Sequence, residues 1–438
     1  MYLKPEKWVN GGYTLGYWEG KTCFLTGGIP GVAQEFVIEK EKSKIIYARA
    51  KEALDVTEIS GFEANNYSNL PSQSRCNLFP ICGGCSYRHI SYSEELEIKR
   101  RQCASALDPP ETEIKIFSDL PIGYRNNVQW QRERGRDRKV NSASESDSGE
   151  PRAKGKDSTR ASDSTHHLDR IGYFQRNSHS LVDLRDKICP NLPSGLQVSS
   201  IIESELANLS KNSVSKRPPL RGNQKNTSGL AWKFRSLDGS LLSLRNYETQ
   251  SDEYIWEGKK FKIPKNGFFQ INRFLIPKWL ERFQTYIPNQ ISECLELFCG
   301  MGIIGQSLSD KIQSLVGWEG ASGSIAAAIQ NAKENNLKNY LYEVKNLHQK
   351  IEIKTKLPNR LWILNPPREG AGENVQELIK LYKPQQVIYS SCDVETLKRD
   401  LQGWKEVVKD IKIKNADLFD FFPRTKHFET VLNLELQY

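Results

Sequence analysis

The sequence predicts an α/β protein: an open, mainly parallel sheet covered by helices, preceded by a small barrel of short strands. Three observations carry that expectation. From about residue 266 onward, apolar runs of strand length alternate with helical patterns. One of those runs, CLELF, leads straight into a glycine-rich turn, CGMG. The first 58 residues instead hold short apolar stretches divided by turn signals.

The composition fits such a chain. Its 438 residues suffice for two to four domains. Charged residues make up 26% and hydrophobic residues 38%, an ordinary balance for a soluble protein. The N-terminal residues carry no apolar run of signal-peptide type, and no long uncharged apolar stretch follows. A cytoplasmic protein without a membrane partner is expected, acting as a monomer. The net charge of +9 favours an anionic partner such as nucleic acid, although a basic surface serving solubility fits it equally. Nine cysteines in a reducing compartment read as buried thiols, metal ligands or catalytic groups.

The N-terminal stretches TCFL, EFVI and KIIYARA are separated by glycine turns at 11–12, 19–20 and 27–31. Several short strands in so few residues suggest an OB-like barrel over 1–58. A cysteine-rich segment, 76–85, precedes SEELEIKRRQCASAL, which has the composition of a helix. Residues 134–167 are nearly all polar or charged and read as a disordered insertion, and 207–229 as a further loop. IGYFQR and SLVDL between them are strand-like. The expected division is therefore 1–58, a central unit 59–265, and the α/β unit 266–438.

In that last unit, Gly300 and Gly302 let the backbone turn tightly where a ligand meets the end of the first strand. The next strand, SLVGWE, ends in Glu319, placed to accept two ribose hydroxyls of an adenosyl group. Other nucleotides fit the glycine turn, and Glu319 also fits a plain surface carboxylate. QVIYSSCDVETLKRDL sets Cys392 after a strand and at the start of a helix, where a thiol pKa is expected to fall. A buried core cysteine is the alternative. LWILNPPREG places Asn365 at another strand tip, followed by a rigid Pro-Pro loop. Glu429 stands just before the last strand, where it could take a proton or simply face solvent.

Together and in this order, these segments resemble the bacterial RNA uracil-C5 methyltransferases, particularly the iron–sulfur branch acting on 23S ribosomal RNA. GGYTLGYWEGKTCFLTGGIPGV is similar to the family's TRAM barrel, GYRNNVQW to its YRN segment, and NGFFQIN to its FFQ-x-N segment. LELFCGMG, VKNL, YSSCD and HFET look like its remaining motifs. The resemblance implies a Rossmann-like class I S-adenosylmethionine-dependent methyltransferase domain behind an RNA-binding central unit. It implies S-adenosylmethionine contacts from Gln270, Phe298, Gly300, Gly302, Glu319, Asn346 and Asn365. It also implies Cys392 as a nucleophile that joins uracil C6 in a covalent adduct, and Glu429 as the base.

Cys76, Cys82 and Cys85 match the family's C-x5-C-x2-C spacing, and Cys189 its remote Cys-Pro, which implies a [4Fe–4S] cluster, with structural zinc as the alternative. RNA is the implied partner, gripped by the barrel, by Arg125 and by the KRR run at 99–101. Three positions depart from the family pattern: Asn365 stands where Asp is usual, Asp393 where Asn follows the cysteine, and Ile303 where Asn ends the glycine turn. Asn365-Pro-Pro keeps an amino-group methyltransferase in view. A transfer RNA enzyme and a non-enzymatic RNA-binding protein with a degenerate cofactor site are the other rival readings.

Overall fold

The computed structural model describes residues 1–52, 76–107, 113–133, 170–178, 180–201, 232–235, 242–243, 252–264, 267–287, 289–351 and 357–438. The insertion expected at 134–167 and the polar stretch 207–229 lie outside the described residues.

The N-terminal strands are β1 (Tyr2–Leu3), β2 (Lys7–Val9), β3 (Tyr13–Trp18), β4 (Lys21–Thr26), β5 (Gln34–Glu41) and β6 (Ile45–Ala50). They form one six-stranded sheet in the order β1-β5-β6-β4-β3-β2. Alternation along the strands turns Leu3, Cys23, Leu25, Phe36, Ile46 and Ala48 into a small core. The apolar stretches expected as strands are β4, β5 and β6.

Helix α1 (Tyr92–Leu107) and strand β7 (Ile114–Phe117) follow. Strands β8 (Asn127–Glu133), β9 (Arg170–Phe174), β10 (Leu181–Asp183), β11 (Trp232–Arg235) and β12 (Leu242–Ser243) make a second sheet, ordered β10-β9-β8-β11-β12. A hairpin of β13 (Asp252–Trp256) and β14 (Lys259–Ile263) leads into the C-terminal unit.

That unit contains α2 (Ile276–Tyr286), β15 (Ile291–Leu297), α3 (Ile303–Ser307), β16 (Ile312–Glu319), α4 (Ser322–Glu334), β17 (Tyr340–Val344), β18 (Leu361–Leu364), α5 (Gly372–Tyr382), β19 (Gln386–Ser391), α6 (Val394–Trp404), β20 (Asp410–Phe419) and β21 (Glu429–Gln437). The eight-stranded sheet runs β17-β16-β15-β18-β19-β21-β20-β7. Strands β17, β16, β15, β18 and β19 are parallel, and β21 enters antiparallel between β19 and β20. One apolar layer on the sheet contains Trp279, Phe283, Ile388 and Val431, and the other Cys103, Leu397, Leu401 and Leu432. Strand β18 is buried along its whole length, which explains why LWIL reads as a continuous apolar run and not an alternating one.

One boundary differs from the expected division. Strand β7 falls inside the stretch assigned to the central unit, yet it pairs in parallel with β20 and closes the edge of the C-terminal sheet. Helix α1 shares that unit's core through Cys103 and Leu107. Four residues, IKIF, are too few to display a periodicity that would have revealed this.

Candidate active site and cysteine cavity

The carboxyl ends of the parallel strands form a row of tips. In spatial order it runs Glu319 (β16), Phe298 (after β15), Asn365 (after β18) and Cys392 (after β19). Strand β21 contributes Glu429 from its amino end. Antiparallel registry pairs Ser391 with Thr430, so Cys392 and Glu429 stand opposite each other one step beyond that last pair.

The glycine turn takes the chain out of β15. Phe298, Gly300 and Gly302 all have left-handed backbones, with φ of 57°, 56° and 79°. The turn is tied down by Gly302 N–H to the Cys299 carbonyl at 2.8 Å and by Cys299 N–H to the Trp318 carbonyl at 3.1 Å. A side chain at Gly302 would strike Tyr342 and Gln306, whereas a Cβ at Gly300 would project into open space. The Glu319 carboxylate accepts the Gly300 N–H at 3.3 Å and the Ala321 N–H at 2.9 Å. Asn346 joins the rim: the neighbouring Lys345 N–H bonds to the Glu319 carbonyl at 2.9 Å, and the Asn346 side chain accepts the His348 N–H. His348 in turn packs near Phe298 at 5.7 Å.

Gln270 approaches from the segment ahead of α2. Asn126 Nδ2 holds its backbone carbonyl at 2.7 Å, but its side-chain Oε1 is buried and meets no hydrogen-bond partner among the described residues. A buried acceptor of this kind wants a donor. The open space over Gly300, the orphaned Gln270 oxygen and the Glu319 carboxylate suit a ligand carrying amino and hydroxyl groups.

Around Cys392 the electrostatics differ from expectation. The thiol is half-buried, and burial pushes it up to about 12, with Glu429 adding to the rise and Arg368 opposing it. The expected lowering by a helix N-terminus fails because that terminus is already capped. Asp393 accepts the N–H groups of Glu395 and Thr396, both at 3.1 Å, and its own charge faces the thiol. Glu429 is buried, which raises its carboxyl to about 7 against the lowering effect of a 2.5 Å hydrogen bond from Ser390. His427 is held down at about 4 by burial and by Arg368 and Lys426, so it is neutral near pH 7. The pair therefore combines a protonated thiol and a carboxyl poised near neutrality, as acid–base work requires. Ser390 and Arg368 were not anticipated from sequence. An arginine directly after the Pro-Pro pair was the visible signal for the latter.

The four cysteines at 76, 82, 85 and 189 do meet. They line one cavity of about 40 Å³ together with Arg88, Arg125, Tyr173 and Asn191. N–H donors surround the sulfurs: Gly84 reaches Cys82 Sγ at 3.4 Å, and Asn191 Nδ2 reaches Cys85 Sγ at 3.4 Å. Among the described residues, no three His, Cys, Asp or Glu side chains gather tightly enough to hold a single metal ion. The thiols ring a space instead of converging on a point.

Two expected RNA contacts are corrected here. Lys99 is completely buried, in ion pairs of 2.7 Å to both Glu95 and Asp420. Its run-mates Arg100 and Arg101 pair with Glu97. Arg125 lines the cysteine cavity and is only partly exposed. Lys99 is neutralised by carboxylates inside the fold, whereas Arg100 and Arg101 stay on the surface beside Glu97. No helix among the described residues is long and apolar enough to cross a membrane.

Comparison with known proteins agrees with this architecture. Residues 248–437 match the family model described as tRNA (Uracil-5-)-methyltransferase. An RNA methyltransferase of Leptospira interrogans is 32% identical over 99% of this chain and 94% of its own length. A 23S rRNA (uracil(1939)-C(5))-methyltransferase of Pseudomonas fluorescens is 26% identical over 99% of this chain and 93% of its own. The crystal structure of a Pyrococcus abyssi tRNA (uracil-54, C5)-methyltransferase in complex with S-adenosyl-L-homocysteine superposes with a TM-score of 0.63 at 18% identity, covering 99% of this chain and all of that one. The fold is that of a class I methyltransferase behind an N-terminal β-rich region. At this depth of similarity along nearly the whole chain, the protein belongs to the RNA uracil-C5 methyltransferase family and is an RNA (uracil-C5) methyltransferase.

Proposed function

We propose that the protein methylates C5 of a uridine in 23S ribosomal RNA, using S-adenosylmethionine and a covalent bond between Cys392 and uracil C6. The registry that sets Cys392 opposite Glu429, on the same edge of the sheet as the glycine turn, carries this reading. Gln270, Phe298, Gly300, Gly302, Glu319, Asn346 and Asn365 would hold S-adenosylmethionine, which when bound would supply an electrophilic methyl group. Cys392 gives up its proton to solvent and its sulfur bonds to C6, while the C5–C6 π pair moves onto C5 and the C4 carbonyl as an enolate. C5 would take the methyl group as the donor's S–CH3 bond breaks and its electron pair stays on sulfur, so the donor leaves as S-adenosylhomocysteine and C5 carries both methyl and hydrogen. Glu429 accepts the C5 proton, the C5–C6 double bond reforms, and the C6–S bond breaks to return the Cys392 thiolate. Arg368 favours the thiolate at both ends of this cycle.

The target uridine must leave its stack to reach these groups, so a loop or bulge serves better than a duplex. The ribosomal assignment rests on the named activity of the Pseudomonas relative and on the four-cysteine array. Cys76, Cys82, Cys85 and Cys189 would hold a [4Fe–4S] cluster: they surround a cavity and not a point, with sulfur-directed N–H donors and two arginines to balance the charge. Its place is to brace the central unit, since methyl transfer has no redox step. The unit 1–58 and the central unit would hold RNA, and 266–438 would bind the methyl donor.

Mass spectrometry of ribosomal and transfer RNA from a deletion strain tests the substrate. Loss of one 5-methyluridine from 23S RNA is the expected result, and loss from transfer RNA alone would overturn the ribosomal assignment. Iron and sulfide analysis of protein purified without air is expected to show both elements. Zinc in their place would overturn the cluster.

A further inference from the structure

Ser390 lies near the end of β19, two residues before Cys392, which follows the strand's last residue. Its hydroxyl sits between two fixed partners. The indole N–H of Trp279 donates to Ser390 Oγ at 3.3 Å, and Ser390 Oγ–H donates to Glu429 Oε1 at 2.5 Å. All three residues are buried.

An indole nitrogen can only donate. By occupying one lone pair of Ser390 Oγ, Trp279 sets the direction of the hydroxyl proton, which then has Glu429 as its acceptor. Trp279 is itself immobilised. Phe283 meets it edge-on at 5.1 Å and Phe421 at 6.0 Å, within the apolar layer under the sheet. The chain of contacts therefore runs from a rigid core indole to the carboxylate beside the nucleophile.

We propose that Trp279 and Ser390 form a relay that positions Glu429, fixing one carboxylate oxygen so that the other faces the C5 proton. This rests on the reading of Glu429 as the base. Ser390 keeps its proton throughout. The C5 proton goes to Glu429 Oε2, the C–H electron pair rebuilds the C5–C6 double bond, and the C6–S pair leaves with Cys392. Ser390 is a positioning residue: it acts on substrate only through Glu429. Its hydrogen bond also favours the ionised carboxylate, so it serves the step in which Glu429 must be charged.

The test compares three variants of the full-length protein on an RNA substrate. Ser390→Ala is expected to slow adduct breakdown about 10- to 100-fold, the range for a hydrogen bond to a charged group. The rate of methyl transfer in a single turnover stays unchanged, so a covalent protein–RNA band builds up on a denaturing gel. The acid limb of the turnover profile moves upward by about one pH unit. Ser390→Thr keeps the donor and is expected to restore both readouts. Trp279→Phe keeps the bulk but frees the hydroxyl, and is expected to shift the profile in the same direction as Ser390→Ala. Glu429→Gln separates the two levels of the argument. If it fails to trap an adduct, the base assignment falls. If it traps one while Ser390→Ala shows neither adduct nor pH shift, the relay is overturned and the base assignment stands.

Discussion

Cys392 and Glu429 face each other across two antiparallel strands, one step past the Ser391–Thr430 pair. Neither residue owes this to a flexible loop. Strand β21 is inserted between β19 and β20, and Glu429 is also paired with Phe419 on the other side. The proposed nucleophile and base are thus held at the end of the β19–β21 pair, as a preorganised pair demands. Replacing Cys392 with Ala is expected to remove turnover entirely. Replacing Glu429 with Gln is expected to leave the first bond-forming steps and block the last, so a protein–RNA adduct survives denaturation. Residual multiple turnover by Cys392→Ala would instead favour amino-group chemistry at Asn365-Pro-Pro.

The buried carboxyl also sets a pH dependence. Glu429 is raised by burial to about 7. As a base it must be ionised, so turnover is expected to climb with pH through about 7 and to level off above it. Stability has the opposite slope. The folded pKa lies above the unfolded value, so the folded state holds the proton more tightly and stability falls as pH rises from about 4.5 through about 7. Glu429→Gln removes the buried charge. It is expected to raise the melting temperature at pH 8 and to change it little at pH 4, as thermal unfolding at the two pH values would show.

Arg368 is exposed, and it is the cation that acts on Cys392 against burial and two carboxylates. Without it the thiol is harder to ionise. Arg368→Gln is expected to slow alkylation of Cys392 by iodoacetamide several-fold at pH 8, with little change in stability. An unchanged alkylation rate would remove Arg368 from the activation of the thiol.

Lys99 offers a test of the corrected charge assignment. It bridges Glu95 and Asp420 inside the protein, and Arg424 completes the group through Glu95. Removing one partner strands buried carboxylates, so Lys99→Met is expected to cost about 3–5 kcal/mol of stability. The salt dependence of RNA binding by the folded fraction should not move. A shallower salt slope would return Lys99 to the RNA surface.

Legibility from sequence followed the distance over which a signal acts. The strand tips bearing Phe298, Glu319, Asn365 and Cys392 were readable because each motif contains its own strand, turn and helix start. The cysteines at 76, 82 and 85 were readable from spacing, and Cys189 came only through resemblance. Lys99 was misjudged because a basic run on a helix does not say which face is buried, and its partner Asp420 lies 321 positions away. The Trp279–Ser390 contact spans 111 positions and has no local pattern at all. The raised thiol of Cys392 was hidden for a similar reason: the cap that uses up the helix terminus is adjacent, but the burial comes from the whole sheet.

The N-terminal six-stranded sheet supplies the last prediction, which rests on RNA being the substrate. Its outward face carries one row of side chains across five strands. Lys7 is paired with Leu15, Leu15 with Phe24, Phe24 with Tyr47, and Tyr47 with Lys40. Phe24 and Tyr47 stack at 5.5 Å, and Tyr13 meets each at 6.0 Å. The row begins close to the active site, for Gly12, next to Tyr13, packs against Ser86 and Lys426. Partly exposed rings between two lysines suit stacked bases and their phosphates. Phe24→Ala with Tyr47→Ala is expected to raise KM for single-stranded RNA about 10-fold or more, with the single-turnover rate at saturating RNA unchanged. Lys7→Gln with Lys40→Gln is expected to lower the salt slope of binding by about 1.4, near 0.7 for each phosphate that no longer meets a lysine. If both variants bind RNA like the parent protein, the strand does not cross this face, and the path from the catalytic mouth must run over the cysteine-bearing side instead.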